Sequence, residues 1–210
     1  SLISIEEVSQ IFRIFEGFQK NSIFLVGGCI RDSILQKDVT DIDFATSLNP
    51  DETTNLLDQN NIQFVDVGKK FGTVTAIINQ KKYEITSFRK DISTDGRHAT
   101  VTFTNNMKED AQRRDFTFNA LYVDSDGEIF DFYNGQEDLK IGNVNFIGEP
   151  NERIKEDYLR ILRYFRFLAF FENSDIDPDL QKVFTANHAH LANISNERKW
   201  YEFKEILKLE

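Results

Sequence analysis

The chain has 210 residues, of which 40% are hydrophobic and 29% charged, and its formal net charge is −10. This length suits one ordinary domain or two small ones, and no apolar run approaches the roughly 20 residues that cross a bilayer, so we expect no membrane contact. The single cysteine, Cys29, excludes an internal disulfide and fits a reducing cytosol, and no secretory or transit pattern opens the chain, so we expect a cytoplasmic location.

The first two thirds of the chain alternate helical and extended patterns. Helices are predicted at residues 5–18, 28–35 and 50–58. Strands are predicted at residues 23–26, 41–45, 64–67, 73–78, 82–88, 121–123 and 128–132. Residues 89–106 are polar and contain an Asp95-Gly96 turn, which predicts a mobile loop.

The pattern changes after Gly135, where strand signals fade and helical spacing takes over. Helices are predicted at residues 157–171, 179–186 and 195–209. We therefore place a boundary near Leu139. The prediction is an α+β head over residues 1–139, with a mixed sheet and helices, followed by an all-helical neck over residues 140–210.

The first chemical motif is a pair of glycines, Gly27 and Gly28, between a predicted strand and a predicted helix. Glycine lets the backbone approach a phosphate closely, and the start of a helix offers unpaired N–H groups. Arg31 lies about one turn later and adds a charge-assisted contact. A Gly-Gly pair alone usually marks only a turn, so it indicates a phosphate site only in combination with the acidic residues further along the chain.

Acidic residues come next along the chain. Asp41 and Asp43 alternate along a predicted strand, so both carboxylates are expected on one face, where they suit Mg²⁺ beside a phosphate group. Glu84 is a third candidate carboxylate, although an exposed glutamate on an amphipathic strand explains it equally well. Each feature alone is weak, whereas their ordered combination is specific.

Two further segments carry clustered charge. Arg113 and Arg114 precede Asp115 and, after a short gap, Asn119; surface charges at the start of a helix are the simpler explanation. In the predicted neck, an acid and three arginines recur every three residues along one helix face: Asp157, Arg160, Arg163 and Arg166. A surface salt bridge would be worth about 0.2–0.5 kcal/mol. Three arginines among apolar residues favour recognition of an anion or a base.

Taken in order, these motifs resemble the family of class II tRNA nucleotidyltransferases and bacterial poly(A) polymerases. The resemblance covers about residues 20 to 208. Its motifs lie at residues 25–32, 41–46, 84–89, 95–97, 113–120, 131–139, 156–160 and 194–198. One departure is Gln36, which stands where the family usually has glycine and leaves the end of the preceding helix in question.

The resemblance implies a polymerase-β-like nucleotidyltransferase head with a Mg²⁺ cofactor. Asp41 and Asp43 would hold the metal, and Glu84 would complete the carboxylate set. The implied nucleotide-binding residues are the glycine turn, four residues of the head and four of the neck: Gly27, Gly28, Arg31, Arg114, Asp115, Asn119, Asp157, Arg160, Arg163 and Arg166. Among them, Asp157 and Arg160 would read the base, with Arg163 and Arg166 in support.

The activity implied by the family is the template-independent addition of CMP and AMP, from CTP and ATP, to the 3′ end of tRNA, with release of pyrophosphate. The net negative charge fits an expectation that tRNA is held mainly by domains beyond residue 210. Poly(A) polymerase, CC-only addition and A-only addition remain alternatives. A non-catalytic nucleotide- or RNA-binding module is a fourth, disfavoured because clustered carboxylates without a metal repel each other.

Overall fold

The computed structural model describes residues 1–94, 99–171 and 176–208. The helices are α1 Glu6–Phe18, α2 Gly28–Ile34, α3 Pro50–Gln59, α4 Met107–Gln112, α5 Gly135–Ile141, α6 Pro150–Glu156, α7 Leu159–Phe170, α8 Pro178–Asn187 and α9 Asn196–Leu207. The strands are β1 Ile23–Val26, β2 Asp43–Thr46, β3 Gln63–Val65, β4 Thr73–Ile78, β5 Lys81–Ser87, β6 Arg89–Thr94, β7 Ala99–Phe103, β8 Leu121–Val123 and β9 Ile129–Asp131. Within the described ranges, no helix is both long and apolar enough to cross a membrane.

Seven strands form one mixed sheet in the order β3-β4-β5-β2-β1-β8-β9. Its neighbouring strands are antiparallel except for β2 and β5, which run parallel. The parallel register places Asp43, the first residue of β2, beside Glu84 of β5. The sheet topology thus brings together two acidic residues that are 41 positions apart in the chain.

Strand β2 begins at Asp43, so the prediction that Asp41 lies in the same strand is wrong. Asp41 lies in the preceding irregular segment, where its carboxylate accepts a hydrogen bond from the hydroxyl of Thr40 at 3.2 Å. Short polar side chains that bond locally compete with regular backbone pairing. The two aspartates therefore come from a loop and a strand rather than from one strand face.

The prediction of a loop over residues 89–106 is also wrong. β6 and β7 pair antiparallel as a separate two-stranded ribbon. Both segments are rich in threonine and other β-branched residues, and this strand signal competed with their polarity. The predicted Asp95-Gly96 turn lies outside the described residues.

Helix α2 ends where the sequence departs from the family. Gln36 has a φ of 56°, in the left-handed region that glycine adopts most easily. The chain turns there all the same: the backbone N–H of Gln36 donates to the carbonyl of Ser33, and that of Lys37 donates to Asp32. Glutamine thus holds the conformation in which the family uses glycine.

In the helical part, the predicted helix from residue 157 begins only at Leu159. A separate short helix, α6, precedes it, with Pro150 at its first position, where proline is favoured. Asp157 lies between α6 and α7 with extended backbone angles, φ −155° and ψ 105°. Helix α5 spans residue 139, so the predicted boundary falls inside a helix, and the division into two domains stays a prediction.

The head and the helical part share one hydrophobic core. Phe116 and Phe118, which come directly after the Arg113-Arg114-Asp115 segment, place their rings 5.4 and 5.0 Å from that of Phe167 in α7. Phe116 also lies near Tyr164 and Phe146, at 6.3 and 4.9 Å. The segment that carries Arg114, Asp115 and Asn119 is therefore anchored on the helix that carries Arg163 and Arg166.

Candidate active site

A cleft of about 810 Å³ opens between the helical part and the region of the sheet where Asp43 of β2 lies beside Glu84 of β5. It is lined by all thirteen residues that the sequence nominates: Gly27, Gly28, Arg31, Asp41, Asp43, Glu84, Arg114, Asp115, Asn119, Asp157, Arg160, Arg163 and Arg166. The structure therefore brings the nominated residues together, while their individual roles stay predictions.

The acidic corner of the cleft is under electrostatic strain. Burial raises the pKa of Asp43, and the nearby charges of Glu84 and Asp41 raise it further, to about 6, against an opposing effect of Arg114. Within the described ranges, no three His, Cys, Asp or Glu side chains are gathered as a metal site by themselves. A cation here would take its other ligands from substrate and water, which is how Mg²⁺ is usually bound.

The glycine turn lies beneath two arginines. Gly27 has a φ of 78° and a ψ of −132°, and a Cβ atom there would lie 3.7 Å from Nη1 of Arg114. At Gly28 a Cβ atom would lie 3.4 Å from Nη2 of Arg31. A side chain at either position would occupy space between the backbone and a guanidinium group. The turn thus leaves room for a small anionic group beside two cations.

Arg31 is held on three sides. Its Nε and Nη2 donate to the two carboxylate oxygens of Asp32 at 2.8 and 2.9 Å, and its Nη1 donates to Oδ1 of Asn119 at 3.0 Å. Its guanidinium carbon lies 5.0 Å from the ring centre of Phe167. These contacts fix the arginine before any ligand arrives.

Asp115 connects the head to α7. Its Oδ2 accepts from Nε of Arg163 at 2.7 Å, and its Oδ1 accepts from the amide of Asn119 at 3.0 Å. Burial alone would raise the pKa of this carboxyl group, but Arg163 and Asn119 lower it to about 2. Asp115 is therefore an ionised, oriented acceptor at the floor of the cleft.

The expected pair of Asp157 and Arg160 does not form as a helix salt bridge, because Asp157 precedes the helix. Oδ2 of Asp157 accepts from Arg198 of α9 at 2.7 Å, and its Oδ1 accepts from the backbone N–H of Leu159 at 3.1 Å. Arg160 instead donates through Nη1 to Glu156 and to the carbonyl of Arg153, both at 2.6 Å. Asp157 and Arg160 line the same cleft, but different partners hold their side chains.

Four supporting residues of the site are not predicted from the sequence: Asp110, Glu156, Arg198 and Glu202. Glu202 is buried between the two neck arginines, 3.4 Å from Arg163 and 3.0 Å from Arg166. Asp110 precedes Arg113 and Arg114 by three and four residues, and this helical spacing is a signal for ion pairs that was available in the sequence. Arg198 lies in the motif at residues 194–198 and Glu202 lies shortly after it, and the resemblance assigns neither residue a role.

The sheet, the carboxylate corner and the arginine-covered turn define a nucleotidyltransferase head. A family model described as the poly A polymerase head domain matches residues 23–145. The chain therefore belongs to the poly A polymerase head domain family, and the resemblance to class II tRNA nucleotidyltransferases is confirmed.

Individual relatives agree with this assignment. The chain is 42% identical over 192 residues to the human mitochondrial CCA tRNA nucleotidyltransferase 1, covering 90% of this chain and 44% of the relative. A crystal structure of the Bacillus stearothermophilus CCA-adding enzyme in complex with CTP matches with a TM-score of 0.84 and 32% identity, over 96% of this chain and 48% of that one. A tRNA nucleotidyltransferase complexed with a primer tRNA and an ATP analog matches with a TM-score of 0.71 and 26% identity, over 93% and 58%. The chain thus spans about half the length of these relatives.

Proposed function

We propose that this chain is the catalytic head and neck of a tRNA nucleotidyltransferase that adds CMP and AMP, from CTP and ATP, to the tRNA 3′ end. The observation that carries the proposal is the single cleft in which acidic head residues, an arginine-covered glycine turn and Asp157 and Arg160 converge. The names of the relatives, and the CTP, ATP analog and tRNA in the solved relatives, support it.

The carboxylate corner fits a divalent cation. Asp43 is partly buried and repelled by two neighbouring carboxylates, and a cation would relieve that repulsion. Oxygen ligands suit Mg²⁺, so Asp41 and Asp43 would hold it, with Glu84 beside them. When bound, Mg²⁺ would stabilise charge on the phosphoryl group and on the departing pyrophosphate. Asp41 and Asp43 themselves would hold the positive charge of the cation next to the glycine turn.

The triphosphate would lie against Gly27 and Gly28, under Arg31 and Arg114. Arg114 projects its Nη1 towards the turn, whereas Arg31 shares its charge with Asp32. Asp115 and Asn119, which are hydrogen-bonded to each other, lie next along the cleft and would face the ribose. In this proposed arrangement the α-phosphate would lie nearest the acidic corner.

Base selection depends on the donor and acceptor patterns of the bases. Cytosine and adenine both present an amino donor beside a ring-nitrogen acceptor, and uracil and guanine present a carbonyl acceptor beside an N–H donor. A carboxylate and a guanidinium at fixed separation therefore accept the first two and reject the others. Asp157 would take the amino hydrogen, and Arg160 would donate to the ring nitrogen.

The structure leaves hydrogen-bonding capacity for base recognition by Arg160. Among the described residues, Arg160 uses both Nη1 hydrogens, and Nη2 makes only a long contact of 3.5 Å to the carbonyl of Arg113. Its Nε–H remains available for a ligand. Each mispaired polar group costs on the order of 1–3 kcal/mol, so two mismatches give roughly 10²-fold discrimination or better.

The first test supplies the full-length protein, rather than these 210 residues alone, with CTP and ATP, separately and together, and with a tRNA that ends before CCA, and it follows product length. Addition of two C residues and then one A supports the proposal. Long A tracts would identify a poly(A) polymerase, a stop after CC or a need for a CC end would identify the partial enzymes, and no transfer would point to a binding module. Asp41→Ala and Asp43→Ala should each abolish transfer while the protein stays folded.

The second test addresses selection. Asp157→Ala and Arg160→Ala should each weaken use of CTP and ATP and narrow their advantage over UTP and GTP. Asp179→Ala is the matched control, because Asp179 is an exposed neck acid that pairs with Lys182 and is not among the residues that line the cleft. Unchanged selectivity in both cleft variants would show that Asp157 and Arg160 serve only the structure.

The cellular setting is part of the proposal. We propose a cytoplasmic enzyme whose tRNA is held mainly by parts of the protein outside these 210 residues. The net charge of −10 supports the second statement, because a polyanion is repelled by an acidic surface. The human relative is named as mitochondrial. Imaging of the tagged protein in its own cell would decide the location.

A further inference from the structure

Asp110 is a buried carboxylate that the proposed function does not use. It lies in the last turn of α4 and is 1% exposed. Its Oδ1 accepts from Nε of Arg113 at 2.9 Å and from the backbone N–H of Arg89 at 3.2 Å. Its Oδ2 accepts from Nη2 of Arg114 at 3.0 Å and from the hydroxyl of Tyr122 at 2.7 Å. The two oxygens thus hold two different arginines.

We propose that Asp110, together with the hydroxyl of Tyr122, is a positioning residue that aims the Arg114 guanidinium at the triphosphate of the incoming nucleotide. This inference rests on the proposed function, in which Arg114 binds that triphosphate. Asp110 itself is not among the residues that line the cleft, so it acts through the arginine.

The orientation of Arg114 supports this role. Its Nε donates to the hydroxyl oxygen of Tyr122 at 3.0 Å, and its Nη2 donates to Asp110, so these two nitrogens are held by Tyr122 and Asp110. The guanidinium carbon lies 5.3 Å from the centre of the Tyr122 ring. The remaining nitrogen, Nη1, is left near the Gly27 position and 3.5 Å from the carbonyl of Asn119. One edge of the guanidinium is fixed so that the other faces the turn.

The charge balance of the group also fits an anionic ligand. One carboxylate neutralises only one of its two arginines, so the cluster keeps a net charge of about +1 beside the cleft. Arg113 lines the same cleft. Although burial opposes ionisation of Asp110, the two arginines hold the pKa of its carboxyl group at about 2, so the balance does not change near neutral pH. The cluster therefore presents a fixed positive charge towards a phosphate chain.

The test compares Asp110→Asn and Tyr122→Phe by titration calorimetry, with Mg²⁺ present and with CTP or inorganic tripolyphosphate as ligand. We expect Asp110→Asn to weaken both ligands by about tenfold or more, because Arg114 loses the charged hydrogen-bond partner that orients it, and this loss outweighs the attraction from the positive charge that the substitution adds. Tyr122→Phe should weaken both by about threefold. In turnover, KM for CTP and ATP should rise together, and the preference for CTP over UTP should not change, because only the phosphates are affected.

A matched control separates positioning from general destabilisation. Glu7→Gln makes the same carboxylate-to-amide change at a buried acid that pairs with Lys81 and lies outside the cleft. It should leave binding of both ligands unchanged. Thermal melting would establish that each variant is folded; if Asp110→Asn does not fold, Tyr122→Phe carries the test.

A double-mutant cycle with Arg114→Ala completes the design. If Asp110 acts through Arg114, Asp110→Asn should have no further effect on tripolyphosphate binding once Arg114 is alanine. If Arg114→Ala weakens binding but Asp110→Asn and Tyr122→Phe bind as the wild type does, the positioning role is refuted and the proposed function stands. If Arg114→Ala has no effect, the proposed triphosphate role of Arg114 fails, and the inference fails with it.

Discussion

Charge contacts join helix α9 to helix α7 of the neck. Glu202, 1% exposed, is the residue of α9 that is buried, and it lies between Arg163 and Arg166 of α7. Trp200 and Phe203 of the same helix are 60% and 47% exposed. A buried acid therefore lies at the centre of this contact, and the stability of the contact should depend strongly on that one carboxylate.

Glu202→Gln removes the negative charge and leaves two guanidinium groups facing each other. Breaking a buried ion pair by removing one partner costs about 3–5 kcal/mol. Arg163 keeps Asp115 as a second partner, so we expect the lower end, about 3 kcal/mol. This is a large share of the 5–15 kcal/mol that typically stabilises a domain.

Urea denaturation would measure the effect with two probes. Trp200 is the only tryptophan, so its fluorescence reports on α9, while far-UV circular dichroism reports on the whole chain. We expect the fluorescence midpoint of Glu202→Gln to fall to lower urea. Glu197→Gln, an exposed change in the first turn of α9, is the control and should cost less than about 1 kcal/mol. A Glu202→Gln midpoint equal to that of the control would refute the reasoning.

Three further results are expected. The pKa of Asp43, about 6 against an ordinary 3.8, means that the stability this carboxyl group contributes is complete below pH 4 and is lost as the pH rises through 6. In EDTA, the free energy of unfolding of the wild type should therefore fall by up to about 3 kcal/mol relative to that of Asp43→Asn between pH 4 and 7.5, and by less where solvent screens the charges. Urea titrations that show no such relative loss would contradict this. Gly135→Ala should destabilise the fold by more than about 2 kcal/mol in thermal melts, because its Cβ would meet the Thr117 carbonyl oxygen; an unchanged melting temperature would count against it. These 210 residues should bind CTP but hold tRNA poorly in filter-binding assays near physiological salt. Tight, salt-sensitive tRNA binding would contradict the proposal that tRNA is held mainly outside these residues.

The elements that the sequence located well are those with strong local signals. Strands β1, β4 and β8 begin and end where periodicity and β-branched residues predict, and α1 and α3 differ by one residue at an end. Asn49 and Glu52 form a capping box at the start of α3, which explains why this helix begins sharply at Pro50. Local chemistry determines where these elements begin and end, so their bounds can be predicted from a single sequence.

The remaining differences depend on contacts that are distant in the chain. The register of the β6–β7 ribbon requires pairing such as Arg89 with Phe103, which composition alone does not reveal. The helix predicted to start at Asp157 begins two residues later, at Leu159, and the carboxylate of Asp157 instead bonds to Arg198, 41 residues later. Resemblance to the family nominated the residues of the candidate site, but it did not identify which acid supports which arginine.

The aromatic packing between Phe116, Phe118 and α7 has a consequence for handling the protein. A truncation near residue 140 would uncover rings that are fully buried here and would remove Phe167, whose ring contacts both of them. Such a fragment should associate or precipitate rather than behave as an isolated head, because large exposed apolar patches promote aggregation. Calorimetry of the 210-residue chain should accordingly show one heat-absorption peak covering both parts, with no earlier transition for the helical half.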